Sequence, residues 1–269
     1  MIGILILIFL IIVVIFISYK RIEVNSYDIE DEKIDKDLKI MLLSDLHNRN
    51  IKDKLEDIIE IEKPDIIILS GDMINDYPKE SKNFINLFKI FDKYKTYYTF
   101  GNHEEEILVS NKIKYIEKIS KSNIILLNNM KSNLTFNINL FGLNLDYDFY
   151  KRSKKKKIDF KYINDKLGSL DKNKFNVLIA HNPLDVPIYQ EYGFDLVLSG
   201  HIHGGIIKLP KLGGVFSPDY TFFPKYYNGM YVLDKMKLIV SRGLGFSKRL
   251  PFRMFNPAEV VVINLMKKK

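Results

Sequence analysis

With 269 residues, 46% of them hydrophobic, the chain can form one large α/β domain and bury a substantial core. Its net charge of +8 admits acidic partners: nucleic acid, phosphorylated substrates or an anionic membrane surface. It contains no cysteine, which excludes a disulfide framework and any thiolate metal site.

Residues 2–17 carry no charge, and Ser18 and Tyr19 extend the run to Lys20-Arg21. At ~1.5 Å per residue, residues 1–19 reach across a ~30 Å hydrocarbon core. Tyr19 suits the interface, and Lys20 and Arg21 can snorkel. A cleaved signal peptide needs a basic n-region and a small-residue cleavage site, and neither is present. Hydrophobicity on every face argues against a buried core helix. The expectation is one uncleaved transmembrane anchor over residues 1–19, and so a single-pass protein of the cell membrane. Lys20 and Arg21 directly follow the span, which leans the rest of the chain towards the cytoplasm.

Residues 20–37 are polar and acidic, and read as a juxtamembrane connector with room for an edge strand. One catalytic domain is expected over residues 38–269. Lys39–Ser44 fits a buried strand. Residues 52–62 place Leu55, Ile58, Ile59 and Ile61 at helical spacing, and Pro64-Asp65 ends them. A strand over 66–69 follows. A helix over 79–92 carries Phe84, Leu87, Phe88 and Phe91, and a strand runs over 96–100. This β-α-β-α-β rhythm predicts a parallel sheet covered by helices. Further strands are predicted over 124–127, 134–145, 176–180, 195–199, 206–209, 229–234, 237–241 and 259–265. Few helices separate the last of these. They predict a second sheet, rich in antiparallel pairing, packed face to face on the first.

The histidines all fall in short chemical stretches: Asp45-Leu46-His47, Gly101-Asn102-His103-Glu104, Ala180-His181 and Gly200-His201-Ile202-His203-Gly204-Gly205. Gly71-Asp72 completes the set. Imidazole and carboxylate ligands without thiolate suit Mn, Fe or Zn. The candidates Asp45, His47, Asp72, Asn102, His181, His201 and His203 are too many for one tetrahedral zinc. They suit two ions side by side, roughly 3.5–4 Å apart. Asp45, Asp72, Asn102, His181 and His201 each follow an apolar run, and ligands of open α/β sheets bind beyond the carboxyl ends of the strands. Asp45 and His47 are two apart, so in an extended segment both point to one side, as do His201 and His203. Gly71, Gly101 and Gly200 permit sharp turns and close backbone approach.

Other features have plainer alternatives. A lone histidine or Gly-Asp is usually structural. The basic run Lys151-Arg-Ser-Lys-Lys-Lys-Lys157, including Lys154–Lys157, is either a solvated loop or a surface for anionic headgroups, at about 1 kcal/mol per basic residue. The aromatic stretch from Phe216 to Tyr231 is either ordinary packing or an apolar wall for a lipid-like substrate. Arg242 could contact phosphate or cap carbonyls, and Asp76 could pair with His103 or cap a helix. There is no G-x-S-x-G elbow, no P-loop and no G-x-G-x-x-G after a strand, so a serine hydrolase or nucleotide-cofactor enzyme has no support.

The order D-x-H, G-D, G-N-H-E, H and G-H-x-H resembles that of the calcineurin-like metallophosphoesterases. Lys208-Leu-Pro-Lys-Leu-Gly-Gly214, Phe223-Pro-Lys-Tyr226, Gly229-Met-Tyr231, Ser241-Arg-Gly-Leu-Gly245, Pro251-Phe-Arg253 and Asn256-Pro-Ala-Glu259 look like the bacterial membrane-associated branch. That branch includes UDP-2,3-diacylglucosamine pyrophosphatase-like enzymes. The resemblance covers about residues 38–266. It implies a four-layer α/β/β/α sandwich and two divalent or trivalent metal ions. One ion would be held by Asp45, His47 and His203, and the other by Asn102, His181 and His201. Asp72 would bridge them. His103 would not bind metal but would act as the general acid, with Glu104 orienting it. The implied reaction is in-line attack of metal-bound hydroxide on a phosphodiester or pyrophosphate. A UDP-diacylglucosamine-type lipid, or another amphiphilic phosphorylated substrate at a membrane, would then be the partner. Ile206 departs from the pattern, since a polar residue is common there. Two alternatives remain: a nuclease or cyclic-nucleotide phosphodiesterase on the same fold, and a non-catalytic membrane-tethered scaffold. The anchor, and the lack of an obvious groove, disfavour nucleic acid. Nothing in the sequence sets an oligomeric state.

Overall fold

The computed structural model describes residues 2–150, 157–209, 211–246 and 251–268. The first half holds α1 (Ile2–Lys20), β1 (Ile22–Asp31), β2 (Leu38–Leu43), α2 (Lys52–Glu62), β3 (Ile66–Ser70), α3 (Lys82–Asn86), α4 (Phe88–Phe91), β4 (Lys95–Thr99), α5 (Asn102–Glu106), α6 (Val109–Ser120) and β5 (Ile124–Leu126). The second holds β6 (Met130–Asn133), β7 (Ile138–Leu143), α7 (Phe160–Leu167), β8 (Phe175–Ala180), α8 (Val186–Tyr192), β9 (Leu196–Ser199), β10 (Ile207–Leu209), β11 (Gly213–Phe216), β12 (Gly229–Leu233), β13 (Met236–Val240) and β14 (Ala258–Lys267).

Two six-stranded sheets, ordered β1-β14-β2-β3-β4-β5 and β12-β13-β9-β8-β7-β6, form the body, and β10-β11 is a small separate hairpin. Successive side chains of a strand point to opposite faces, so one strand feeds two cores. In β3, Ile67 and Leu69 pack against Leu55, Ile59, Phe84, Phe88 and Tyr115 of the helices on one side. Ile66 and Ile68 pack on the other side against Val177, Ile179, Leu196 and Leu198 of the second sheet. Leu178 and Val197 of that sheet then pack outward against Ile163, Val186 and Tyr189 of α7 and α8. The three apolar layers make the order helix, sheet, sheet, helix. Helix α2 stops where Lys63 turns left-handed, with φ of 49°, ahead of Pro64.

Several local expectations change. The second sheet is less antiparallel than its short spacings suggest: β7, β8, β9 and β13 run parallel, and only the outer β6 and β12 are antiparallel. Helices α7 and α8 supply crossovers that the sequence pattern hid. The strand expected over 134–145 contracts to β7, and β6, which precedes that span, is an additional strand across a turn from it. The helix expected over 79–92 divides at Leu87, where Leu87 N–H bonds Phe84 O and Ile90 N–H bonds Leu87 O, a tighter pattern than an α-helix allows. The connector drawn over 20–37 is largely strand. All of β1 pairs parallel with β14, from Ile22 opposite Ala258 to Asp31 opposite Lys267. Its polar sequence concealed this because one face of an edge strand stays wet. The basic run over 151–156 lies outside the described residues.

Helix α1 is the one helix among the described residues long and apolar enough to cross a membrane. Its mean hydropathy is 3.3, and only 6% of its most apolar window is buried.

Candidate metal centre

The expected ligands meet at one end of both sheets. Asp45 and His47 follow β2, Asp72 follows β3, Asn102 follows β4, His181 follows β8, and His201 and His203 follow β9. Side-chain donor atoms fall into three overlapping groups, each within 4.8 Å: Asp45, His47 and His203; His47, Asp72 and His103; and Asp72, His181 and His201. The shortest separations are His47 Nε2 to His203 Nε2 at 3.1 Å and His181 Nε2 to Asp72 Oδ2 at 3.1 Å. His203 Nε2 lies 3.4 Å from Asp45 Oδ1, and His47 Nε2 lies 4.0 Å from Asp72 Oδ2.

The backbone that brings them together is not the extended one expected for Asp45-Leu-His47 and His201-Ile-His203. Asp45, His47, Asp72, His201 and His203 all have positive φ, of 49°, 47°, 54°, 70° and 51°. Each left-handed non-glycine residue is strained by ~1–3 kcal/mol unless its surroundings enforce it. The surroundings here do so. Asp45 N–H bonds Gly71 O at 3.0 Å, and His47 N–H bonds Asp72 O at 3.0 Å, stitching the β2 and β3 loops together. Gly243 is required beside them, since a Cβ on it would lie 2.6 Å from Asp45 Cβ. Gly71 is equally confined, because its Cβ would lie 2.6 Å from His181 Nδ1.

Partners beyond the donor set fix ring orientation. His47 Nδ1 pairs with Asn75 Oδ1 at 2.8 Å, and His181 Nδ1 with Ser70 O at 2.7 Å. Each acceptor requires a proton on Nδ1, which turns Nε2 towards the cluster, bare in the neutral His47 ring and facing Asp72 in His181. Asn256 Nδ2 donates to His203 O at 2.6 Å. The fully buried Arg253 reaches Arg242 O at 2.6 Å and Gly245 O at 2.7 Å, and lies 3.4 Å from His203 Nδ1. Sequence reading singled out none of Asn75, Arg253 or Asn256 as a site residue. Asp76, the neighbour of Asn75, neither pairs with His103 nor caps a helix, but accepts from Tyr77 N–H at 2.8 Å. Glu104 does not orient His103. It is buried and accepts from Gly101 N–H at 2.8 Å, Asp72 N–H at 2.9 Å and Met73 N–H at 2.8 Å. Arg242 is no phosphate contact either. It is 4% exposed, with Nη2 2.8 Å from Glu23 and 3.4 Å from Glu259.

The electrostatics separate the imidazoles. Burial, with the His103 charge adding, pushes His47 down to about 3. Burial and His181 push His201 down to about 4, and burial and His47 hold His203 well below its ordinary value. For His181 burial acts downward, but Asp72 and Asp45 outweigh it and push the ring up to about 10. Burial opposes charge on Asp72 too, yet His181 and His103 hold it well below the carboxylate range. Burial, helped by Asp72, pushes Asp45 up to about 6. Metal ligation takes neutral imidazole and ionised carboxylate, which most of these groups already are near neutrality.

These residues fit cations. Asn102 Oδ1 is buried without a hydrogen-bond partner. The bare Nε2 of His47 faces another imidazole nitrogen. A cation satisfies both situations. His103 stands at the rim, half-buried, with its ring 4.7 Å from that of His47 and its N–H bonded to Asp72 Oδ1 at 2.9 Å.

The chain belongs to the calcineurin-like phosphoesterase family, whose model matches residues 38–205. It is a metal-dependent phosphoester hydrolase. It is 34% identical to the metallophosphoesterase Cj0846 of Campylobacter jejuni, over 97% of this chain and 69% of that one. It is 30% identical to a metallophosphoesterase of Helicobacter pylori strain J99, over 92% of this chain and 65% of that one. The chain thus spans about two thirds of the length of these relatives. The phosphodiesterase YaeI of Escherichia coli K12 is 25% identical over 77% of this chain and 75% of its own. Among solved structures, TT1561 of Thermus thermophilus shares the fold. Its TM-score is 0.50 at 11% identity, over 78% of this chain and 91% of that one.

Proposed function

We propose that this chain is a membrane-anchored phosphoesterase with a dinuclear metal centre, acting on a phosphodiester or pyrophosphate bond of an amphiphilic substrate. The observation that carries the reading is the overlap of the donor groups at Asp72, which takes part in two of the three. Asp45, His47 and His203 would hold one ion. Asn102, His181 and His201 would hold the other, with Asp72 between them. Mn, Fe and Zn all suit this oxygen and nitrogen set. When bound, such ions neutralise phosphoryl charge and lower the pKa of water.

The chain's own residues do the rest. Asn75 and the Ser70 carbonyl hold two imidazoles in the tautomer that ligation needs. Glu104 fixes the Asp72 and Gly101 loops against each other. His103 stands beside Asp72, free of the Nδ1 anchors that lock His47 and His181. It would pass its proton to the leaving-group oxygen. Helix α1 supports the amphiphilic substrate. A lipid phosphate does not leave the bilayer cheaply, at about 0.8 kcal/mol per exposed CH₂, so a tether brings the site to it.

The test compares turnover by the full chain in mixed micelles with Mn, Fe or Zn. The substrates are a lipid-linked pyrophosphate of the UDP-diacylglucosamine type, an aryl phosphodiester and single-stranded DNA. The reading expects the highest kcat/KM on the lipid. Preference for DNA would replace it with a nuclease.

A further inference from the structure

We propose that the rim of the metal centre docks on the bilayer surface itself, through the apolar edge formed by Leu212, Phe222, Phe223 and Phe255. This rests on α1 being a membrane anchor, and adds which face of the domain meets the lipid.

The pairing register sets the geometry. Ile22 lies opposite Ala258, and Val261 lies opposite Leu42. The first residue of β1 is therefore level with the carboxyl end of β2, where Asp45 and His47 follow. Only Arg21 separates α1 from β1. The apolar helix thus enters the domain at the end that carries the metal ligands.

Contacts hold it there. Tyr19 stacks on Phe246 with ring centroids 4.8 Å apart. The Arg49 guanidinium lies 5.0 Å from the Tyr19 ring and 4.9 Å from the Phe246 ring. Arg49 also donates to Leu244 O at 2.6 Å and to the carbonyl of Tyr19. Lys54 Nζ donates to Lys20 O at 2.5 Å. Arg49 is two residues beyond His47, and Arg253, which lies over Phe246 at 5.8 Å, reaches the His203 carbonyl at 3.4 Å. The interfacial end of α1 is therefore tied to two ligand loops, with no loose tether between them.

The exposed apolar edge continues from that point. Met254 N–H bonds Ile206 O at 3.1 Å, and Lys208 N–H bonds Met254 O at 3.0 Å. Phe216 bridges to Ile206 on one side and Phe222 on the other. On these segments Leu212 is 64% exposed, Phe222 68%, Phe223 59% and Phe255 50%. Scattered single apolar residues need no explanation, but a run of large ones on adjoining segments marks an interaction surface. Lys208 and Lys211 share a groove of about 290 Å³ with Phe255 and Tyr227, so the edge is also cationic. Aromatic side chains among lysines suit an anionic lipid interface. The occupant is the bilayer rather than a protein because α1 brings the bilayer to this end of the sheets. Ile61 and Phe136, exposed by 76% and 82%, lie at the opposite end, before β3 and β7.

Because the chain has no cysteine, one introduced thiol labels one position. The full chain, carrying Phe9→Cys, Leu212→Cys, Phe222→Cys, Ile61→Cys or Phe136→Cys with a polarity-sensitive fluorophore, is reconstituted in phosphatidylcholine–phosphatidylglycerol vesicles containing brominated lipid. The proposal expects quenching at positions 9, 212 and 222, and none at 61 and 136. Quenching at 9 alone overturns the docking and leaves the anchor standing. No quenching at 9 overturns the anchor, and the docking with it. Equal quenching at 61 and 136 overturns the choice of face. A label at 222 shielded from water but insensitive to brominated lipid identifies a second copy or another protein as the occupant, and overturns the bilayer. In a functional arm, Leu212→Ser/Phe222→Ser/Phe223→Ser should keep turnover of a soluble aryl phosphodiester while slowing hydrolysis of lipid in vesicles. Equal loss on both substrates would show that the edge is structural.

Discussion

Glu104 accepts the backbone N–H of Asp72 at 2.9 Å, from a carboxylate buried beneath the metal centre. The same group accepts from Gly101 and Met73, so one side chain fixes the loop after β3 against the loop after β4. Asp72 can hold its left-handed backbone because this clamp leaves it no alternative. Glu104→Gln should set an amide NH₂ against those N–H donors. Charged hydrogen bonds contribute ~1.5–3 kcal/mol each, so a loss of about that size is expected. Thermal unfolding and metal content measure it. A variant with unchanged Tm and full metal content would contradict the clamp.

Asp72 and His103 should part company under mutation. Asp72→Asn should lower both metal content and activity, since the shared carboxylate belongs to two donor groups. His103→Ala should keep its metal while kcat falls ~10²–10⁴-fold, the usual weight of general acid catalysis. Elemental analysis beside steady-state kinetics separates them. Loss of metal in His103→Ala would make His103 a ligand.

The shifted histidines predict a bell-shaped stability for metal-stripped protein. His47 and His201, pushed down to about 3 and about 4, are neutral when folded but bind protons when unfolded, below an ordinary value near 6.5. The unfolded state then binds more protons, so stability falls as pH drops below 6.5. Asp45, pushed up to about 6, partly offsets this between its ordinary 3.8 and 6. His181, pushed up to about 10, keeps its proton only when folded, so stability also falls as pH rises from 6.5 to 10. Bound metal replaces that proton and should abolish the alkaline limb. Tm against pH, with and without chelator, tests this. A chelated protein equally stable at pH 7 and pH 10 would contradict the His181–Asp72 pairing.

Truncation should discriminate between two domain starts. Residues 22–269 keep β1 and the Glu23–Arg242 pair, and should fold with activity on soluble substrates. Residues 38–269 bare the edge of β14 and strip one acidic partner from a buried arginine. An open ten-residue strand edge, with Arg242 left to Glu259 alone, should make the shorter chain insoluble or unfolded. A soluble, active 38–269 chain would return β1 to the status of a connector.

The candidate donor cluster was legible because scarce chemistry marks it: all five histidines belong to it, beside carboxylates at strand ends. The central strands were legible for a similar reason, since a strand buried on both faces, such as β3, spells itself in Ile and Leu. What stayed hidden depends on distant partners. Positive φ at Asp45 and His203 has no local signature, because the neighbouring loops and Gly243 impose it. Arg242 reads as a phosphate contact until Glu23 and Glu259, far apart in sequence, appear on either side of it. The edge strand β1 is wet on one face, and the crossover helices α7 and α8, at eight and seven residues, are too short to stand out among loops.

Metal stoichiometry tests the central claim most directly. The full chain, purified in detergent and saturated with Mn, Fe or Zn, should bind two ions, with turnover of an aryl phosphodiester following occupancy of the second. Occupancy that stops at one ion in a well-folded, fully active preparation would contradict the dinuclear centre.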